Sequence, residues 1–100
     1  MAIEVELQDE HGVTLATYDG PALTFELLRL IPQSAALLRT IDPWGDTVFN
    51  QIQIGALLAE IDTHLHTTGG RTPPAAFKAL RQFVESALGI THTYVKFIGD

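Results

Sequence analysis

The chain opens on strict alternation. In "AIEVELQ", Ile3, Val5 and Leu7 take turns with Glu4, Glu6 and Gln8, and a period of two predicts a strand with one apolar and one wet face. "DEHG" breaks the pattern and "VTLATY" resumes it, so the two runs predict a hairpin around a loop containing Gly12. "DGP" at 19–21 is punctuation. "LTFELLRLI" then predicts a short helix with Thr24 as its N-cap, Phe25, Leu28 and Ile31 on one face, and Pro32 at its end. Residues 34–41 fit either a helical turn or a strand. "DPWGD" tips the choice to a strand over 37–41, because Asp42, Pro43 and Gly45 suit positions i, i+1 and i+3 of a type I turn, with Gly45 supplying a positive φ. "LLRTI" and "TVFN" are then joined through Trp44, whose side chain leans out of the hairpin.

Two helices follow. Asn50 and Gln53 have capping-box spacing, and Ile54, Leu57, Leu58, Ile61 and Leu65 form one apolar stripe after them. "TTGGRTPP" is a break. Thr72 as N-cap and Pro73 at the first helical position open the second helix, whose buried face is Phe77, Leu80, Val84, Ala87 and Leu88. Gly89 followed by Ile90 reads as a stop. "THTYVKFI" predicts a last strand with Thr91, Thr93, Val95 and Phe97 on one side and His92, Tyr94, Lys96 and Ile98 on the other. Apolar groups on both sides mark a central or covered strand. The order ββαββααβ predicts an α+β fold: a mainly antiparallel sheet of about five short strands with helices packed on one face, in a single domain.

Having "IDPWGDTVFN" and the closing "YVKFIGD", the chain resembles a group of short, uncharacterised bacterial proteins with an Asp-Pro-aromatic-Gly-Asp-Thr-Val-Phe-Asn block and a Phe-Ile-Gly-Asp end. The similarity runs from about Leu37 onward. It implies a small bacterial cytoplasmic protein and brings no activity, catalytic residue or binding residue with it.

Composition narrows the function classes. Of 100 residues, 46% are apolar and 18% charged, an ordinary globular balance. The absence of cysteine excludes disulfides, thiolate catalysis and Cys-based zinc sites. The first ten residues lack the basic and apolar regions of a secretory signal. No apolar run approaches the ~18 residues of a membrane helix. A soluble, cytoplasmic protein is the expectation, without a membrane partner. Twelve acids against six bases give a net charge of −6. That argues against nucleic acid and is compatible with a basic protein partner.

Candidate chemistry is thin. Ser34 and Ser86 lack a nucleophile's sequence context. "DTHLH" puts Asp62 and His66 on one helical face with His64 pointing elsewhere; a zinc site needs three or four ligands, and His11 or His92 would complete one only through tertiary placement. Asp42 with Asp46, and Asp9 with Glu10, read as turn and loop carboxylates that accept backbone N–H groups. Arg71 precedes a helix start but lacks phosphate-loop spacing. Lys78 and Arg81 form a small basic strip, with Arg81 and Glu85 an i,i+4 pair. No cofactor or metal is implied, and no enzyme is expected.

Two surfaces remain. Trp44 either folds back onto the core or stays exposed as a partner anchor; solubility favours the packed placement. The wet sheet face carries Glu4, Glu6, Tyr18, His92, Tyr94 and Lys96. The sequence therefore predicts a non-enzymatic interaction module (an adaptor, inhibitor or immunity-type protein) that contacts another protein through Trp44, Glu4, Glu6 and Tyr94. A homodimer is compatible with this reading, and a small enzyme or ligand-binding domain with a loop-built site is the alternative.

Overall fold

The computed structural model describes residues 2–29, 31, 34–66 and 75–99, with the side chains of Ala2, Phe25 and His66 excepted. Its elements are β1 (Ala2–Asp9), β2 (Thr14–Thr17), β3 (Leu23–Thr24), α1 (Phe25–Leu28), a 3₁₀ turn (Leu38–Thr40), β4 (Asp46–Phe49), α2 (Gln51–His66), α3 (Ala75–Glu85) and β5 (Thr93–Ile98). The sheet is antiparallel, in the order β2-β1-β5-β4, and β3 pairs with the start of β1. This is the α+β architecture that the alternation predicts, with β5 central between β1 and β4.

Period two sorts the sheet into two faces. Ile3, Val5 and Leu7 of β1, Thr93, Val95 and Phe97 of β5, and Phe49 of β4 are all buried on the inner one. Helix α2 meets them with Ile54, Leu57, Leu58 and Ile61, and α3 with Ala76, Phe77, Leu80 and Val84. Each Val, Leu, Ile or Phe among them contributes roughly 1.5–3 kcal/mol through its burial. Phe49 and Phe97 meet edge to face at 5.7 Å. Arg81 of α3 ties the helices together, pairing with Asp62 of α2 and, within its own helix, with Glu85 at 2.7 Å.

The predicted helix starts at Thr24 and Asn50 are observed, whereas α1 stops at Leu28, short of the predicted Ile31. Thr24 Oγ1 accepts the Leu27 N–H at 3.3 Å. The Asn50–Gln53 capping box closes reciprocally, each side chain taking the other's backbone N–H at 3.0 Å. Gly89 has φ +81°. Leu88 differs from expectation and is half exposed, because the chain leaves helical geometry after Glu85. Pro32, Thr72 and Pro73, the other predicted end residues, lie outside the described residues.

Residues 37–41 are not a strand. Leu38–Thr40 form a 3₁₀ turn with Leu38 and Ile41 buried. The reason lies on α2: the Glu60 carboxylate accepts the N–H groups of Leu37 and Leu38 at 2.9–3.0 Å, fixing the start of the turn from a distance. The fifth strand is Leu23–Thr24 instead. The turn at 42–45 is as predicted in its hydrogen bonds. Gly45 N–H donates to the Asp42 carbonyl at 3.3 Å, and Trp44 N–H donates to Asp42 Oδ1 at 2.9 Å. Gly45, however, is not in the positive-φ region; its glycine matters because a Cβ would stand 2.8 Å from Asp42 Oδ2.

Candidate interaction surface

No described helix or loop lies over the outer face of the sheet, so its side chains can be read in rows from the strand register. Glu4, Ile98 and Asp46 form one row; Thr17, Glu6, Lys96 and Val48 the next; Thr14, Gln8 and Tyr94 a third. Glu4 is exposed, and Glu6, Tyr94, Lys96 and Ile98 are half-buried among their neighbours. Glu6 Oε1 accepts the Gln8 side-chain amide and the Thr14 hydroxyl, each at 2.9 Å. Lys96 Nζ lies 3.4 Å from Asp46 Oδ2. These cross-strand contacts hold an acidic, partly aromatic surface in place without covering it.

Trp44 stands at the end of this face. It is 66% exposed, so the packed placement that solubility favoured is corrected. The backbone explains why. Asp42 holds the turn, and the Gly99 N–H donates to the Gly45 carbonyl at 2.7 Å, extending the β4–β5 ladder into it. A Cβ on Gly99 would lie 2.5 Å from the Asp42 carbonyl oxygen and the Pro43 carbonyl carbon. The turn block and the Phe-Ile-Gly end, far apart in sequence, are thus one contact. Glu4, Glu6 and Tyr94 share the face, and Trp44 borders the Glu4–Ile98–Asp46 row through the turn.

Tyr18 does not join them. It turns to the helical side, where its ring meets Phe83 edge to face at 5.7 Å and its hydroxyl donates to the Pro21 carbonyl at 2.7 Å, with the Ala76 carbonyl at 3.3 Å as the more distant acceptor. Burial raises its pKa above the ordinary 10.0. His92 lies in the turn before β5 with φ 59°, and its Nδ1 is 3.1 Å from Glu10 Oε2. His11 Nε2 is 3.6 Å from the other oxygen of the same carboxylate.

Some contributors were missed in sequence. Val48 is half exposed on the outer face, and Ile52, 87% exposed, lines a cleft with His92 and Tyr94. A countable signal was also overlooked. Residues 1–28 hold six of the twelve acids and none of the six bases. The other 72 residues are therefore neutral, and the whole net charge sits on the segment that forms β1, β2 and β3.

The catalytic candidates have other work. A cavity of about 300 Å³ is lined by Ser34, Ala35, Ala59, Glu60, Thr63 and His64. Both Glu60 oxygens hold the 3₁₀ turn, and the His64 ring packs edge-on against Phe77 at 4.7 Å. Asp62 binds Arg81, whose pKa is raised by those hydrogen bonds to Asp62 and Glu85. His66's side chain and Arg71 fall outside the described residues. Among the described residues no group of three His, Asp or Glu side chains is arranged to hold a metal, and no helix is long and apolar enough to cross a membrane. No protein-family model, curated protein or solved structure matches the chain.

Proposed function

We propose that the protein is a non-enzymatic interaction module of the adaptor, inhibitor or immunity type, cytoplasmic in location, whose partner is another, basic protein. The observation that carries this reading is the partly exposed outer sheet face with Trp44, 66% exposed, at its border. A sheet wet on one side is ordinary. An exposed Trp on a rigid turn is not, because a large aromatic ring in water favours association and Trp is enriched at binding hot spots. Glu4 and Glu6 supply the field that steers a basic partner toward it.

The test is affinity capture from the native cell extract on two baits: the unaltered protein and a Glu4→Lys, Glu6→Lys, Trp44→Ala variant. The proposal expects a protein that the first bait retains and the folded variant loses. Equal recovery on both would remove this face from the interaction. The cavity beside Glu60 and His64 supports a second reading, a small ligand-binding domain or enzyme. It is the weaker reading, since its carboxylate is already held by two backbone amides.

A further inference from the structure

The far edge of the sheet has a different architecture. Strand β2 ends the sheet order, and Thr14–Thr17 are all exposed, as are Val13 and Leu15. Tyr18 N–H donates to the Val5 carbonyl at 2.8 Å, and Ala16 pairs with Leu7. Thr17, between those two, therefore points its own N–H and C=O away from β1. Such an edge accepts another strand unless something blunts it. A bulge at Leu15 blunts one end only.

Directly beside this edge runs a groove of about 380 Å³ between β2 and α3. Ala79 and Phe83 contribute apolar surface to it, and Asp19, Gln82 and Ser86 contribute polar groups. It is preformed. Tyr18 is held by its hydroxyl's hydrogen bond to the Pro21 carbonyl and by the ring contact with Phe83. Gly20 lets the 18–21 loop close onto α3, since a Cβ there would be 2.6 Å from the Tyr18 hydroxyl and 2.7 Å from the Ala79 methyl.

We infer that β2 and this groove form a docking site for an extended, basic peptide segment of a partner protein, which adds to the sheet as a further strand. Main-chain hydrogen bonds to Thr17 give the affinity, and alternate side chains give the specificity. Apolar residues of the peptide enter the groove over Ala79 and Phe83. Those between them point to the outer side, where Lys or Arg reaches Glu6; Asp19 attracts a base at the rim. The charge distribution chooses this occupant over a second copy. The segment that supplies this edge, residues 1–28, carries six acids and no Lys or Arg, so two copies meeting here would oppose like charges. The site shares Glu6 with the outer face and does not rest on Trp44.

The test pans the intact protein against a phage-displayed library of random dodecapeptides, then maps the enriched peptide by amide chemical shifts. The expected peptides alternate apolar and basic residues, and the shifts concentrate at 14–20 and 79–86. Thr17→Pro removes the edge donor at a position where an edge strand tolerates proline, and Gln82→Trp fills the groove from an exposed helix position; each should weaken binding at least tenfold, while Trp44→Ala leaves it unchanged. Should Thr17→Pro fail to fold, Gln82→Trp carries the test alone. The inference is overturned by no enrichment, by shifts centred on Tyr94 or Trp44, or by unchanged affinity in Gln82→Trp. A solution dimer that Thr17→Pro dissociates would also overturn it, giving the edge to a second copy.

Discussion

Asp42 and Gly99 show how single residues present Trp44. The Asp42 carboxylate takes the Trp44 N–H, and Gly99 leaves room for the turn's own backbone. Gly99→Ala puts a methyl into that contact and should destabilise the fold by ~1–3 kcal/mol, read as a lower denaturant midpoint; an unchanged midpoint would separate the turn from the closing strand. Asp9 acts likewise in the first loop, accepting the Val13 and His11 N–H groups at 2.9 and 2.8 Å. The Val13 hydrogen bond is the main reason its pKa lies below the ordinary 3.8, with the His11 N–H and charge adding to it and desolvation opposing. A depressed folded pKa stabilises above the unfolded value and loses that contribution as pH falls through the folded one. Stability of the wild type should therefore decline below pH ~4 more steeply than that of Asp9→Asn, measured by chemical denaturation at each pH. Asp42 and Pro43 were legible as turn residues because turn chemistry is local. Gly99 was not, because its reason is a backbone that arrives from residue 43.

The same boundary between local and distant causes decides which elements were legible. Strands β1 and β5 and helix α2 follow their sequence periods, since one face of each meets a single core. The capping box of α2 is local and was readable; Asn50→Ala should cost ~1 kcal/mol, checked by thermal or denaturant melting. Gln51, the next residue, was not singled out. Its amide donates to the Ala87 and Thr93 carbonyls and accepts the Gly89 N–H, all at 2.9 Å, joining α2, the end of α3 and β5. The 3₁₀ turn at Leu38–Thr40 was read as a strand because Glu60 determines it from α2. Tyr18 falls on the helical side because the bulge at Leu15 shifts the alternation by one residue: Thr14 and Thr17 both lie in the outer rows, so Tyr18 turns inward onto α3.

Among the described residues, the helices pack on one side of the sheet and the other side carries the partly exposed rows of Glu4, Glu6, Tyr94 and Lys96. The charge of the whole molecule is uneven, with the net −6 belonging to residues 1–28. That asymmetry was present in the sequence but invisible to a composition that averages the chain. Its consequence is kinetic. Charge reversal of Glu4 and Glu6 should slow association with a basic partner more than it speeds dissociation, and the slowing should shrink as salt shortens the screening length; stopped-flow or surface-based kinetics at two ionic strengths measure this. A salt-independent rate would remove steering from the account. Whether this face with Trp44 is the binding site is decided by calorimetric titration of the captured partner into Trp44→Ala. The account predicts a loss of ~2 kcal/mol in binding, about thirtyfold in Kd, from a protein that melts as the wild type does. An unchanged Kd from a fully folded Trp44→Ala protein would contradict it.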